Sequence, residues 1–233
     1  MPGVVPDSVG GAVELLTQRL IPHIEEGRAA GQQAYMKTQQ PFLGVRVPQV
    51  RAVTKEFALE LGLDSAEARL QAATELWENA THREHWYAAA ELCAHRGCRG
   101  RLEFLPLYER MILEGAWWDI VDGCSRRYGE TLLAHPGIVE PMLRDWARDD
   151  FMWKRRMAMI AQLHLGTKTD TALLDYALAC NLADPEFFIR KALGWSLRQY
   201  AKTDPDWVRT WVDAHQGRMS GLSLREAMKH LGG

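Results

Sequence analysis

Apolar residues recur along this chain at three- and four-residue intervals, the spacing of a helix with one buried face. No alternating run long enough for a strand interrupts them. Leu15, Leu16, Leu20 and Ile24 predict a first helix from about Val13 to Arg28, and Gly31 loosens the segment after it. Pro41 and Gly44 then break the helical pattern, and Pro48 suits the first turn of a new helix. Asp64-Ser65 reads as an N-cap for a helix to about Asn79. Further helices are expected from Thr81 (closed by Gly97), from Leu102 to Glu114, and from Trp118 to Ala134, where His135-Pro136-Gly137 stops the run. Val139–Ala147, Asp150–Leu165, Thr171–Cys180, Asp184–Tyr200, Asp204–His215 and Ser223–Leu231 complete the set. Asp184-Pro185 and Asp204-Pro205 each put an N-cap candidate before a proline at the first helical position.

The result is about a dozen helices with short connections, paired at a period of roughly 35 residues. That period predicts an all-α fold, an α-α superhelix (solenoid) of HEAT-like helical repeats, in which each pair buries its apolar face on its neighbours. Internal identity is weak, so a compact helical bundle stays open. No linker or low-complexity segment divides the chain, and residues 1–233 read as a single repeat domain.

Composition narrows this little. Hydrophobic residues make up 47% and charged residues 25% of 233, ordinary for a globular protein. No apolar run approaches the length of a membrane span, and MPGVVPDSVGG has neither the basic nor the apolar segment of a signal peptide, so a cytoplasmic protein is expected. Cys93, Cys98, Cys124 and Cys180 are scattered and read as reduced thiols, with neither a disulfide framework nor a zinc site. His82 and His85 read as surface residues rather than metal ligands, and no metal or cofactor is expected. Net charge is −2, yet residues 1–150 carry 16 Lys+Arg against 22 Asp+Glu while residues 151–233 carry 12 against 8. A basic C-terminal third is compatible with a phosphate-binding face.

Three stretches carry candidate chemistry. In AWWDIVDGCSRRY, Trp118, Asp122 and Ser125 share a helix face, with Arg126 and Arg127 close by. In DDFMWKRRMAMIAQLHL, Arg156 follows Trp153 by three residues. In DPEFFIRKALGWSLRQYAKTDP, Lys191, Trp195 and Arg198 form a basic–aromatic–basic stripe. Cations beside π-faces suit a phosphodiester and its bases. Core tryptophans flanked by snorkelling cations give the same spacing, so the stretches alone leave both readings open. Tyr35, Lys37 and Arg46 lie around a Pro/Gly-broken loop that can touch a ligand or simply be solvated.

GVRVPQVRAV, AWWDIVDGCS, MWKRRMAMIAQLHL, EFFIRKALGWSLRQYAKTDP and LSLREAMKHL together resemble, in order, the AlkD family of bacterial DNA alkylation-repair enzymes, from about Gln33 to His230. The resemblance implies HEAT-like repeats with a concave face for duplex DNA, and a monofunctional N-glycosylase releasing cationic alkylated purines, chiefly N3-methyladenine and N7-methylguanine. It implies that Trp118, Asp122 and Trp195 are the catalytic aromatic–acid–aromatic set and that Arg156 lies near the lesion-bearing backbone. Tyr35 matches a tyrosine at the cleft's edge. Arg46 is a departure from a family member that has Gln there, and it adds charge where DNA would lie. Lys37, Lys191 and Arg198 are further candidate DNA contacts. The family does not require the base to be rotated out of the helix. A monomer acting on alkylated double-stranded DNA, in the cytoplasm at the nucleoid and away from any membrane, is the implied setting.

The chemistry of these residues is compatible with that implication. A purine alkylated at N3 or N7 is cationic and departs neutral, so it needs little acid catalysis. The sugar gains oxocarbenium character, which a fixed carboxylate stabilises while orienting water. The alternatives are a non-catalytic HEAT-repeat protein that binds DNA structures, and a protein-binding HEAT scaffold. Trp117 and Asp119 fall off the Trp118–Asp122 face, and Trp77, Trp86, Trp146, Trp207 and Trp211 are expected to pack between helices.

Overall fold

The computed structural model describes residues 11–229 and 231. Every regular element among them is helical. The chain divides into two compact units, one ending at Arg99 and the other beginning at Gly100.

The first unit holds α1 (Gly11–Leu20), α2 (Arg28–Met36), α3 (Val47–Glu60), α4 (Ala66–Glu78) and α5 (Arg83–Leu92). Pro22 shortens α1: the expected run to Arg28 becomes a single 3-10 turn, Ile21–His23, because proline supplies no N–H to continue the ladder. Pro48 lies in the first turn of α3, and Ser65 caps α4 by accepting from the Ala68 N–H at 3.0 Å. The helix expected from Thr81 begins at Arg83 and ends at Leu92, before Gly97. Its first turn is buried. Glu84, fully buried, accepts from the N–H groups of Leu43, Gly44 and Val45 at 3.0, 3.0 and 3.1 Å, clasping the loop between α2 and α3. His85, expected at the surface, is also fully buried. Its Nδ1 accepts from the backbone of Thr81 and His82, and its Nε2 lies 2.9 Å from Thr17 Oγ1. Burial holds its pKa down at about 4, with His82 adding to the effect.

The second unit holds α6 (Leu105–Gly115), α7 (Trp118–Ala134), α8 (Pro136–Trp146), α9 (Met152–Ile160), α10 (Thr171–Cys180), α11 (Phe187–Tyr200), α12 (Pro205–His215) and α13 (Gly221–Met228). Here α7, α9, α11 and α13 pack one on the next as a layer, while α8 and α10 pack behind them. This is the stacking of an α-α repeat fold, with each helix burying an apolar stripe: Ile120, Val121, Cys124 and Tyr128 from α7, Met157 and Ile160 from α9, Ile189, Leu193 and Leu197 from α11. α9 is shorter than expected because Gln162 leaves the helix, exchanging two hydrogen bonds with the backbone of Asp170. Asp204 caps α12 as expected, but Asp184 does not cap α11. It binds the Glu186 N–H and Arg155 instead, and α11 starts two residues after Pro185. The last helix, expected over Ser223–Leu231, runs from Gly221 to Met228, with Ser220 capping it; His230, where the family resemblance ends, lies outside the described residues. No described helix is long and apolar enough to cross a membrane.

Candidate active site

α6 and α7 meet in a tight corner. Ala116 adopts the left-handed conformation at φ 36°, and a Cβ on Gly115 would stand 2.7 Å from Ile120 Cγ2, so only glycine allows α7 to start there. Trp117 is extended and its carbonyl receives the Ile120 and Val121 N–H groups. The corner fixes Trp118 as the first residue of α7 and puts Asp122 one turn on, along the same face.

α9 brings Arg156 to Asp122. Nε donates to Oδ1 and Nη2 to Oδ2, both at 2.7 Å, the fork-on-fork arrangement of a bidentate pair. Nη1 donates to the Phe188 carbonyl at the start of α11. The guanidinium lies 5.8 Å from the Phe188 ring centroid and 5.9 Å from that of Trp195. The Arg156 side chain is 5% exposed and that of Asp122 20%. Burial pushes the Asp122 carboxyl above its ordinary pKa, the hydrogen bonds and charge of Arg156 oppose this, and Asp119 adds a smaller upward push. Trp118 and Trp195 are half-buried. The site is therefore a carboxylate held rigidly, open to one side, with an indole on its own helix and another on α11.

Not every expected residue of this unit joins it. Trp153, placed by its spacing beside Arg156, is 4% exposed and packs against Trp117 and Phe188 in the core. Ser125, expected on the Asp122 face, is buried and donates to the Asp122 carbonyl at 2.8 Å. Lys191 and Arg198 do lie along the Trp195 side of α11, but both are paired with Glu226 of α13, at 2.8 and 2.6 Å. Those pairs hold the Glu226 carboxyl below its usual range. Glu226 reaches α11 because Gly194 lets α13 approach: a Cβ there would lie 2.5 Å from the Glu226 Cβ and 2.7 Å from the Ser223 carbonyl oxygen. No local pattern in LSLREAM announces this role, since the partners lie 35 and 28 residues away.

The remaining candidates belong to the first unit. Tyr35, in the last turn of α2, is 70% exposed, and Lys37 follows it in the left-handed conformation. Arg46 is ion-paired with Glu25, which also binds Arg28, and Glu25 is held down at about 2 by Arg46 first and Arg28 second. Among the described residues no cluster of three or more His, Cys, Asp or Glu could hold a metal ion. Cys93, Cys98 and Cys124 are buried free thiols and Cys180 is an exposed one.

The chain matches the family model described as DNA alkylation repair enzyme over residues 16–231. Among solved structures it is similar to a protein of Enterococcus faecalis described as a predicted DNA alkylation repair enzyme. The two are 32% identical with a TM-score of 0.79, over 90% of this chain and 97% of that one. No curated protein matches it. With a family match over nearly its whole length and a solved relative that shares its helical repeat fold, the chain belongs to the DNA alkylation repair enzymes.

Proposed function

We propose that this chain is a monofunctional DNA N-glycosylase that excises cationic alkylated purines, N3-methyladenine and N7-methylguanine, from duplex DNA. The observation that carries the reading is the Asp122 carboxylate, locked by Arg156, with Trp118 one turn before it on α7 and the Trp195 ring centroid 5.9 Å from the Arg156 guanidinium. In the reaction the bond from C1′ to the purine nitrogen breaks and its electron pair neutralises the departing base. The sugar becomes oxocarbenium-like, and Asp122 stabilises that charge and orients the water that adds to C1′. The indole faces hold the cationic nucleotide by cation–π and CH–π contact. Arg156 works through Asp122: it keeps the buried carboxyl ionised and aimed, and is in this reading a positioning residue before it is a backbone contact. Tyr35, Lys37, Arg46, Lys191 and Arg198 are proposed DNA contacts, the last three only after yielding their present carboxylate partners.

The test is release of base from a duplex carrying one N7-methylguanine. Asp122→Asn keeps the shape and removes the charge, and its rate is expected to fall by about 10²–10³. Equal release by both proteins removes Asp122 from the mechanism. A second reading, a non-catalytic DNA-binding repeat protein, draws on one fact: the acid is already fully engaged by an arginine. Salt-sensitive DNA binding without any base release would favour it.

A further inference from the structure

A cavity of about 210 Å³ opens on the same three helices, C-terminal to the site on each. On α7, Arg126 follows Asp122 by four residues. On α11, Gln199 follows Trp195 by four, and Lys202 lies in the turn just past the end of that helix. The turn that ends α9 contributes His164. At 1.5 Å of rise per residue the four-residue steps from Asp122 and Trp195 span roughly 6 Å along α7 and α11, within reach of the nucleotides next to one held at Asp122. The volume is below the roughly 300–1,000 Å³ of a site for a whole small molecule and suits a single ionic group.

Beside the apolar Met159, Leu163 and Leu174, the lining has cations, amides and hydroxyls, Tyr200 and Thr203 among them, and no carboxylate. Neither Arg126 nor Lys202 has a carboxylate partner among the described residues, and Lys202 Nζ donates only to Gln199 Oε1, at 2.9 Å. This contrasts with Arg46, Lys191, Arg198 and Arg156, each tied to an acid. Arg126 of α7, Tyr200 of α11 and Lys202 of the turn after α11 line the cavity together with His164. Partial burial, and then the Arg126 charge, lower its pKa. A concentration of unneutralised cations around a small polar cavity is the arrangement an anion completes.

We propose that this cavity is a phosphate subsite in which Arg126, His164 and Lys202 receive a backbone phosphate of the DNA strand engaged at Asp122. The proposal rests on the DNA-acting reading above but not on base excision. Its function is to fix the register of the strand next to the reacting sugar, a positioning contact that carries no sequence information. An anion seated there also favours the protonated imidazole, so the pKa of His164 rises on binding.

The experiment uses the full chain and an undamaged duplex oligonucleotide, with affinity measured by fluorescence anisotropy across a salt series. Arg126→Gln and Lys202→Gln are each expected to weaken binding and to flatten the slope of log K against log salt by about 0.9. Arg126→Lys, which keeps the charge, retains most of the slope. In parallel, the His164 ring resonances are titrated with pH in the free chain, with duplex, and with inorganic phosphate alone. A higher His164 pKa with duplex supports the subsite. Unchanged slopes in both Gln variants, with no duplex effect on His164, overturn it. A response to inorganic phosphate and none to duplex makes this a free-phosphate site and overturns the backbone assignment. Slopes are read whether or not base is released, so failure of the glycosylase reading leaves this result separate.

Discussion

At the scale of single residues, the Asp122–Arg156 pair sets the behaviour of the site. Asp122 has burial raising its pKa and Arg156 lowering it, and with Arg156 gone only the upward influences remain. Arg156→Met is therefore expected to shift the acid limb of base release to higher pH, since the carboxylate form is the working one and protonation would then occur earlier. The same change strands a charge. Breaking a fully buried pair costs about 3–5 kcal/mol, and with Asp122 one-fifth exposed a loss of about 2–3 kcal/mol is expected from denaturant titration. Because the cost lies in the unpaired acid, the double variant Arg156→Met/Asp122→Asn should be more stable than Arg156→Met alone. That Trp118 and Asp122 share one face of α7 is legible in the sequence because helical period is local; Trp195, on another helix, joins them only through the family resemblance. The pairing of Asp122 with an arginine 34 residues away is not legible there, nor is the inward turn of Trp153, because both depend on which helices become neighbours.

At the scale of elements, helix bodies are legible and most of their ends are not. Trp118–Ala134 and Thr171–Cys180 agree with their expected bounds: His135-Pro136-Gly137 closes the first and the Asp170 cap opens the second. The apolar period overextends the first helix and α9, where one proline and one side-chain bridge to the backbone outweigh it. The first turn of α5 departs further from expectation: REH is polar in sequence yet buried in the fold, where Glu84 and His85 secure the chain before α3 and before α5 itself. That burial has a pH signature. His85 is neutral in the folded chain down to about 4, while an unfolded histidine protonates near 6.5. The unfolded state binds the extra proton between those values, so stability present above 6.5 is lost as pH falls towards 4, by up to about 3 kcal/mol. Thermal melts from pH 7 to 4 should show this loss, and His85→Gln should flatten it.

At the scale of the whole molecule, the basic C-terminal third seen in the sequence is less basic than its count. Lys191 and Arg198 are committed to Glu226, Arg155 to Asp184 and Lys154 to Glu109 and Asp149. Residue counts cannot show that, since ion pairing is a property of the folded neighbours. Glu226→Gln keeps the volume and releases two cations on the α11 face. DNA affinity should rise several-fold, and the salt dependence should steepen by about 0.9 for each released cation that reaches a phosphate. An unchanged salt series would mean that α11 does not face the backbone. The Glu226 bridge also bears on how such a protein would search. A surface whose lysine and arginine are leashed to an acid must surrender an internal bond for each phosphate it grasps, so intact duplex holds it briefly. On the glycosylase reading, its dwell on undamaged DNA is a series of short visits, and only a nucleotide that also fills the space beside Asp122 lengthens the stay.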